Sequence, residues 1–162
     1  MSQSTGKDTV RVGDHFPHIR LLIADDQPRV RQSLEALLVA LGWSSPTRAS
    51  IQIEIVGEAD DGQQTVAQVQ ALHPDVVVLD LPTHSPIRAP LNHVPVTGSQ
   101  ADGLAAIRTI KSRWPAVRVI VLTMYATDRS AVLLAGADAF LLKGCSTSEL
   151  LDAMGFAPNQ DV

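Results

Sequence analysis

The stretch His73-Pro74-Asp75-Val76-Val77-Val78-Leu79-Asp80 is a turn, then an unbroken aliphatic run, then a carboxylate. A strand with one face in water alternates apolar and polar residues, and this run does not. It therefore reads as a strand covered on both faces, which is the pattern of a central strand in a parallel sheet. Ile19–Ala24, Val117–Leu122 and Ala139–Leu142 are of the same kind, and Ile51–Val56 reads as a further strand.

Helical patterns separate these strands. Pro28 suits the first turn of a helix, where its missing N–H leaves nothing unsatisfied. Val30, Leu34, Leu37, Leu38 and Leu41 then fall on one inward face, up to Gly42. Gly57 to Gly62 reads as a turn, with Asp61-Gly62 as turn chemistry only. A helix is predicted over Gln63–Leu72 (Val66, Val69 and Leu72 inward). Another begins at Asp102-Gly103 and ends at Trp114-Pro115. Asp128 is expected to cap a short helix over Arg129–Ala135. Ser146-Thr147-Ser148-Glu149 is a capping box opening a last helix with Leu150, Leu151 and Met154. Strand and helix alternate throughout, so the predicted fold is α/β: a doubly wound five-stranded parallel sheet with helices on both faces. The expected organisation is a flexible segment over 1–18, a domain over 19–154 and a tail over 155–162. Within that domain, residues 81–101 form an insertion holding Pro82, Pro86, Pro90, Pro95, His84 and His93.

In open α/β sheets the chemistry sits beyond the carboxyl ends of the strands. Those ends carry Asp25 and Asp26, Asp80, Thr123 and Lys143. Right-handed crossovers bring all of them to one edge. Carboxylates that close repel and raise one another's pKa unless a cation neutralises them. Mg²⁺, a hard ion with oxygen ligands, is the natural cation, held by Asp25 and Asp26 with Asp80 as a third ligand. The free oxygen of Asp80 could then attack phosphorus, while Thr123 and Lys143 share the phosphoryl charge.

This constellation resembles the receiver domain of two-component response regulators, a flavodoxin-like (CheY-like) fold. The matching stretches are Leu22-Ile23-Ala24-Asp25-Asp26-Gln27-Pro28, Val76-Val77-Val78-Leu79-Asp80, Asp102-Gly103, Val121-Leu122-Thr123 and Gly136-Ala137-Asp138-Ala139-Phe140-Leu141-Leu142-Lys143-Gly144. The Lys-Gly ending looks most like regulators with LuxR-type helix-turn-helix outputs. The resemblance implies Asp80 as phosphoacceptor from a sensor histidine kinase, Asp25 and Asp26 as the Mg²⁺ pair, and the Pro82 backbone carbonyl as a further metal contact. It implies Lys143 as the phosphoryl-contacting lysine, Thr123 as the switch hydroxyl and Phe140 as the switch aromatic. Homodimerisation on phosphorylation is a further expectation.

The pattern also departs from that family. Asp80-Leu81-Pro82-Thr83 lacks the usual Met-Pro, the insertion lies on the metal-binding loop, the fourth helix is clipped, and Met124 is bulky for its place. A degenerate pseudo-receiver acting as an interaction module is therefore a competing reading. A Mg²⁺-dependent phosphatase with an aspartyl nucleophile ranks lower, because such enzymes carry Asp-x-Asp on the first strand.

Bulk composition excludes several other classes. Thirteen basic residues against seventeen acidic ones give a net charge of −4, with no Lys/Arg stripe to bind nucleic acid directly. No apolar run approaches the roughly 18 residues of a membrane span. The lone Cys145 excludes an internal disulfide and suits a reducing compartment, so a cytoplasmic location is expected. Cys145 reads as an incidental thiol, and His84 and His93 as loop histidines. No helix-turn-helix follows Met154, which leaves a stand-alone receiver and a fragment of a longer regulator both open.

Overall fold

A computed structural model describes residues 18–43, 51–81, 100–124 and 129–156. Its elements run β1 (His18–Ala24), α1 (Pro28–Trp43), β2 (Gln52–Ala59), α2 (Gly62–Leu72), β3 (Val76–Leu79), α3 (Gln100–Arg113), β4 (Arg118–Thr123), α4 (Arg129–Leu134), β5 (Ala139–Leu142) and α5 (Thr147–Ala153). The five strands are all parallel, in the order β2-β1-β3-β4-β5. The chain winds outward in one direction from β1 and then in the other from β3. The crevice between the carboxyl ends of these two strands is the topological switch point, where such sheets hold their ligands.

Each strand sends alternate side chains to opposite faces. Leu22, Ala24, Val77, Leu79, Val119 and Val121 pack with Val69 of α2, Ile107 and Ile110 of α3 and Val132 of α4. Leu21, Ile23, Val76, Val78, Ile120 and Leu122 pack on the other face with Leu38 of α1, Leu150 of α5 and Met154 at the C-cap of α5. This two-sided burial is the reason the strand sequences do not alternate.

Caps and close approaches set the helix ends. The Ser146 hydroxyl accepts the Glu149 N–H at 3.2 Å and the Glu149 carboxylate accepts the Ser146 N–H at 2.7 Å, so the capping box is complete. Asp61 is more than a turn residue: its carboxylate accepts the Gln64 N–H at 2.8 Å and caps α2. Gly103 lets the Leu81 side chain lie against the α3 backbone, where a Cβ would force that side chain to move.

Three further expectations need correction. β2 does not stop at Val56 but runs through Gly57-Glu58-Ala59. A bulge between Leu21 and Leu22 skips Val56, so that Gly57 pairs with Leu22 and Ala59 with Ala24. Leu37, placed on the inward face of α1, is 42% exposed, while its neighbour Leu38 is fully buried. α3 begins at Gln100, ahead of the Asp-Gly pair. Residues 82–99, which hold Pro82, His84 and His93, and the predicted cap Asp128 lie outside the described residues.

Ile110 has 0% exposure and Leu134 87%. Urea unfolding should therefore show a loss of about 2–5 kcal/mol for Ile110→Ala. Leu134→Ala should stay within about 0.5 kcal/mol of wild type.

Candidate functional site

Backbone pairing that continues past the strand ends positions the polar cluster. The Asp25 N–H donates to the Ala59 carbonyl (3.0 Å), the Asp80 N–H to that of Ala24 (2.8 Å) and the Lys143 N–H to that of Thr123 (2.7 Å). Each of these strand-end side chains thus hangs from a peptide held by the neighbouring strand. Gly144 follows Lys143 with φ of +100°, the left-handed region that glycine adopts without strain and proline cannot.

The Lys143 ammonium bridges the two strand-end carboxylates, at 2.8 Å from Asp25 Oδ2 and 2.8 Å from Asp80 Oδ2. The other Asp25 oxygen accepts the Gln27 N–H at 2.8 Å. The other Asp80 oxygen, Oδ1, is buried and has no hydrogen-bond partner among the described residues. Asp26 is exposed, and one carboxylate oxygen from each of Asp25, Asp26 and Asp80 lies within 4.8 Å of the others. One ammonium against three carboxylates leaves an excess of negative charge. Hard oxygen donors, that excess and an unsatisfied buried acceptor together fit a divalent cation such as Mg²⁺.

Burial pushes the Asp80 carboxyl above the usual aspartate range, and the Asp25 charge adds to this. The Lys143 hydrogen bond and charge oppose both. Burial would lower Lys143, but its bonds to Asp25 and Asp80 outweigh that and hold the ammonium above the ordinary lysine value.

Thr123 is buried at the end of β4, where its hydroxyl makes a long 3.5 Å contact with the Leu81 carbonyl and lies close enough to the Asp80 carboxyl to oppose the rise in its pKa. Phe140 is half-buried and packs against the core on the α2–α3–α4 face. Asp25, Asp26, Asp80 and Lys143 are therefore brought together, with Thr123 close by through Leu81. Phe140 belongs to the core beside them. The expected Pro82 contact lies outside the described residues. Met124 is 63% exposed.

A cleft of about 230 Å³ opens beside the cluster, floored by Ile23, Val78 and Leu122 and walled by Leu34 of α1 and Leu150 of α5. Cys145 lines it, and burial together with the Glu149 charge pushes its thiol up, away from a reactive thiolate. One contact was not legible beforehand. Arg31 of α1 donates from Nη1 to the Asp25 carbonyl (2.6 Å) and to Asp60 (2.7 Å), and from Nε to Glu58 (2.9 Å).

An all-parallel sheet with an acidic pair, a third carboxylate and a lysine at its switch point has the architecture of a response-regulator receiver domain. Comparison with known proteins agrees. The chain is 29% identical over 138 residues to the response regulator protein VraR of Staphylococcus aureus, covering 84% of this chain and 54% of VraR. It thus spans about half the length of the curated relatives it matches. The receiver (REC) domain of RcsB from Salmonella enterica serovar Typhimurium, solved with phosphomimetic BeF3-, superimposes with a TM-score of 0.60. It is 25% identical, over 85% of this chain and 86% of that one. A LuxR-family two-component response regulator from Aurantimonas shares the fold at a TM-score of 0.61 and 24% identity, over 85% and 83% of the two chains. No family model matches the chain. Its relatives are response regulators and its structural neighbours are receiver domains of the LuxR-family kind. Among the described residues, no helix is long and apolar enough to cross a membrane.

The raised Asp80 pKa contributes to the pH dependence of the metal-free protein. Between the ordinary aspartate value of 3.8 and the raised folded value, the folded state binds more protons than the unfolded one. Wild-type stability therefore falls as pH rises through that window. Asp80→Asn lacks this loss. Its melting temperature without metal should exceed that of wild type at neutral pH, and the gain should vanish below pH 3.8, as followed by circular dichroism.

Proposed function

We propose that this chain is a phosphoaccepting switch, taking a phosphoryl group onto Asp80 from the phosphohistidine of a sensor kinase. The observation that carries this reading is the state of the Asp80 carboxylate. Lys143 holds Oδ2 in place, while Oδ1 is buried without a partner. A carboxylate positioned by a lysine beside a cation site can serve as a covalent nucleophile. Oδ1 forms a bond to phosphorus, the phosphorus–nitrogen bond to the donor imidazole breaks, and the electron pair leaves with that nitrogen.

Asp25, Asp26 and Asp80 are the residues that would hold Mg²⁺. When bound, the ion supplies the positive charge that lets three carboxylates and a phosphoryl group share one volume. Lys143 then bonds the phosphoryl oxygens as charge spreads over them. Thr123, whose hydroxyl already lies beside the Asp80 carboxyl, is placed to donate to the product. Its neighbour strand β5 carries Phe140, paired with Val121 of β4, so a shift at Thr123 reaches the β4–β5 surface. The RcsB receiver domain solved with a phosphomimetic supports this reading by analogy of fold. The output, a kinase partner and dimerisation on phosphorylation belong to the same proposal.

Acetyl phosphate should label the protein in a Mg²⁺-dependent way that is lost in Asp80→Asn and kept in Asp152→Asn. Lys143→Met should slow labelling by roughly 10²-fold, the usual effect of removing one charge-stabilising donor. An unlabelled wild type whose calorimetric trace shows no response to millimolar Mg²⁺ would favour the interaction-module reading instead.

A further inference from the structure

We infer that Arg31 is the positioning residue of the acidic loop, an assignment that rests on reading the strand-end cluster as a cation-binding phosphoacceptor site. Arg31 does not touch the Asp25 or Asp26 carboxylates. Its Nη1 donates to the Asp25 main-chain carbonyl at 2.6 Å. That carbonyl belongs to the peptide joining Asp25 to Asp26, so holding it fixes the direction of both side chains at once. The peptide on the other side of Asp25 is held by the Ala59 carbonyl at 3.0 Å. The loop is clamped on one side by the β2 backbone and on the other by Arg31.

The guanidinium is itself clamped. Glu58 takes Nε at 2.9 Å, Asp60 takes Nη1 at 2.7 Å, and the side chain is only 11% exposed. A planar fork can meet three acceptors from two separate segments, and a lysine ammonium on a flexible stem cannot reproduce this. The blander reading is that Arg31 merely staples α1 to the end of β2. Its two ion pairs would suffice for that, and the short bond to the Asp25 carbonyl would be superfluous.

The two readings differ in the sign of a measurable effect. By charge alone, removing a cation from beside an acidic site should tighten its hold on Mg²⁺. Removing a positioning residue should weaken it, since groups that orient metal ligands typically change affinity by 10–100-fold. Titration calorimetry with Mg²⁺ on the full chain separates them. Arg31→Met is expected to bind Mg²⁺ about tenfold weaker than wild type or worse. Arg31→Lys, with the charge but not the fork, should fall in between. Ile110→Val, a core change far from the loop, controls for lost stability and should match wild type.

Arg31→Met binding Mg²⁺ as tightly as wild type, or tighter, overturns the assignment. Should Arg31→Met fail to fold, Arg31→Lys decides: several-fold weaker binding supports the assignment and equal binding overturns it. A wild type that binds no Mg²⁺ overturns the reading of the site and this inference together, whereas a normal wild type with an indifferent Arg31 overturns the inference alone.

Discussion

The arrangement at the carboxyl edge turns on the salt bridge that Lys143 makes with Asp25 and Asp80 at once. Buried charges are costly unless paired, and breaking one partner of a buried pair strands the other. Here the pairing is deliberately incomplete: one ammonium serves two carboxylates, Asp26 stands nearby, and an oxygen of Asp80 is left over. A site built only for stability would close that gap with another donor. Leaving it open keeps the cluster short of positive charge and so receptive to a cation.

The rest of the fold holds this imbalance in place. β1 and β3 are neighbours in the sheet, which puts the Asp25–Asp26 pair and Asp80 side by side. β4 and β5 extend the same edge to Thr123 and Lys143. Both faces of the sheet are packed with aliphatic side chains, so the strand ends have little freedom to drift apart and relieve the repulsion. Burial raises the Asp80 carboxyl above the usual aspartate range, a cost that the Lys143 ammonium offsets in part.

Much of this was legible in the residues alone, because the signals were local. The strands β1, β3, β4 and β5 announce themselves as aliphatic runs, and Ser146 with Glu149 marks the start of α5. Strand-end logic gathers Asp25, Asp26, Asp80 and Lys143 without reference to any contact. What escaped depends on partners far along the chain. The end of β2 looks like a turn at Gly57, and only pairing with β1 across a bulge keeps it extended. The grip of Arg31 requires Glu58 and Asp60, which lie 27 and 29 positions away, to arrive beside α1. Leu37 and Leu38 are both apolar at the edge of one helical stripe, and the periodicity does not say which of them meets the sheet.

Leu81 and Gly103 have one more consequence. The side chain of the first rests where a Cβ of the second would be, so the points at which the chain leaves β3 and enters α3 are buttoned together. The first turn of α3 is thereby seated directly against the chain that leaves β3, beside the acidic cluster.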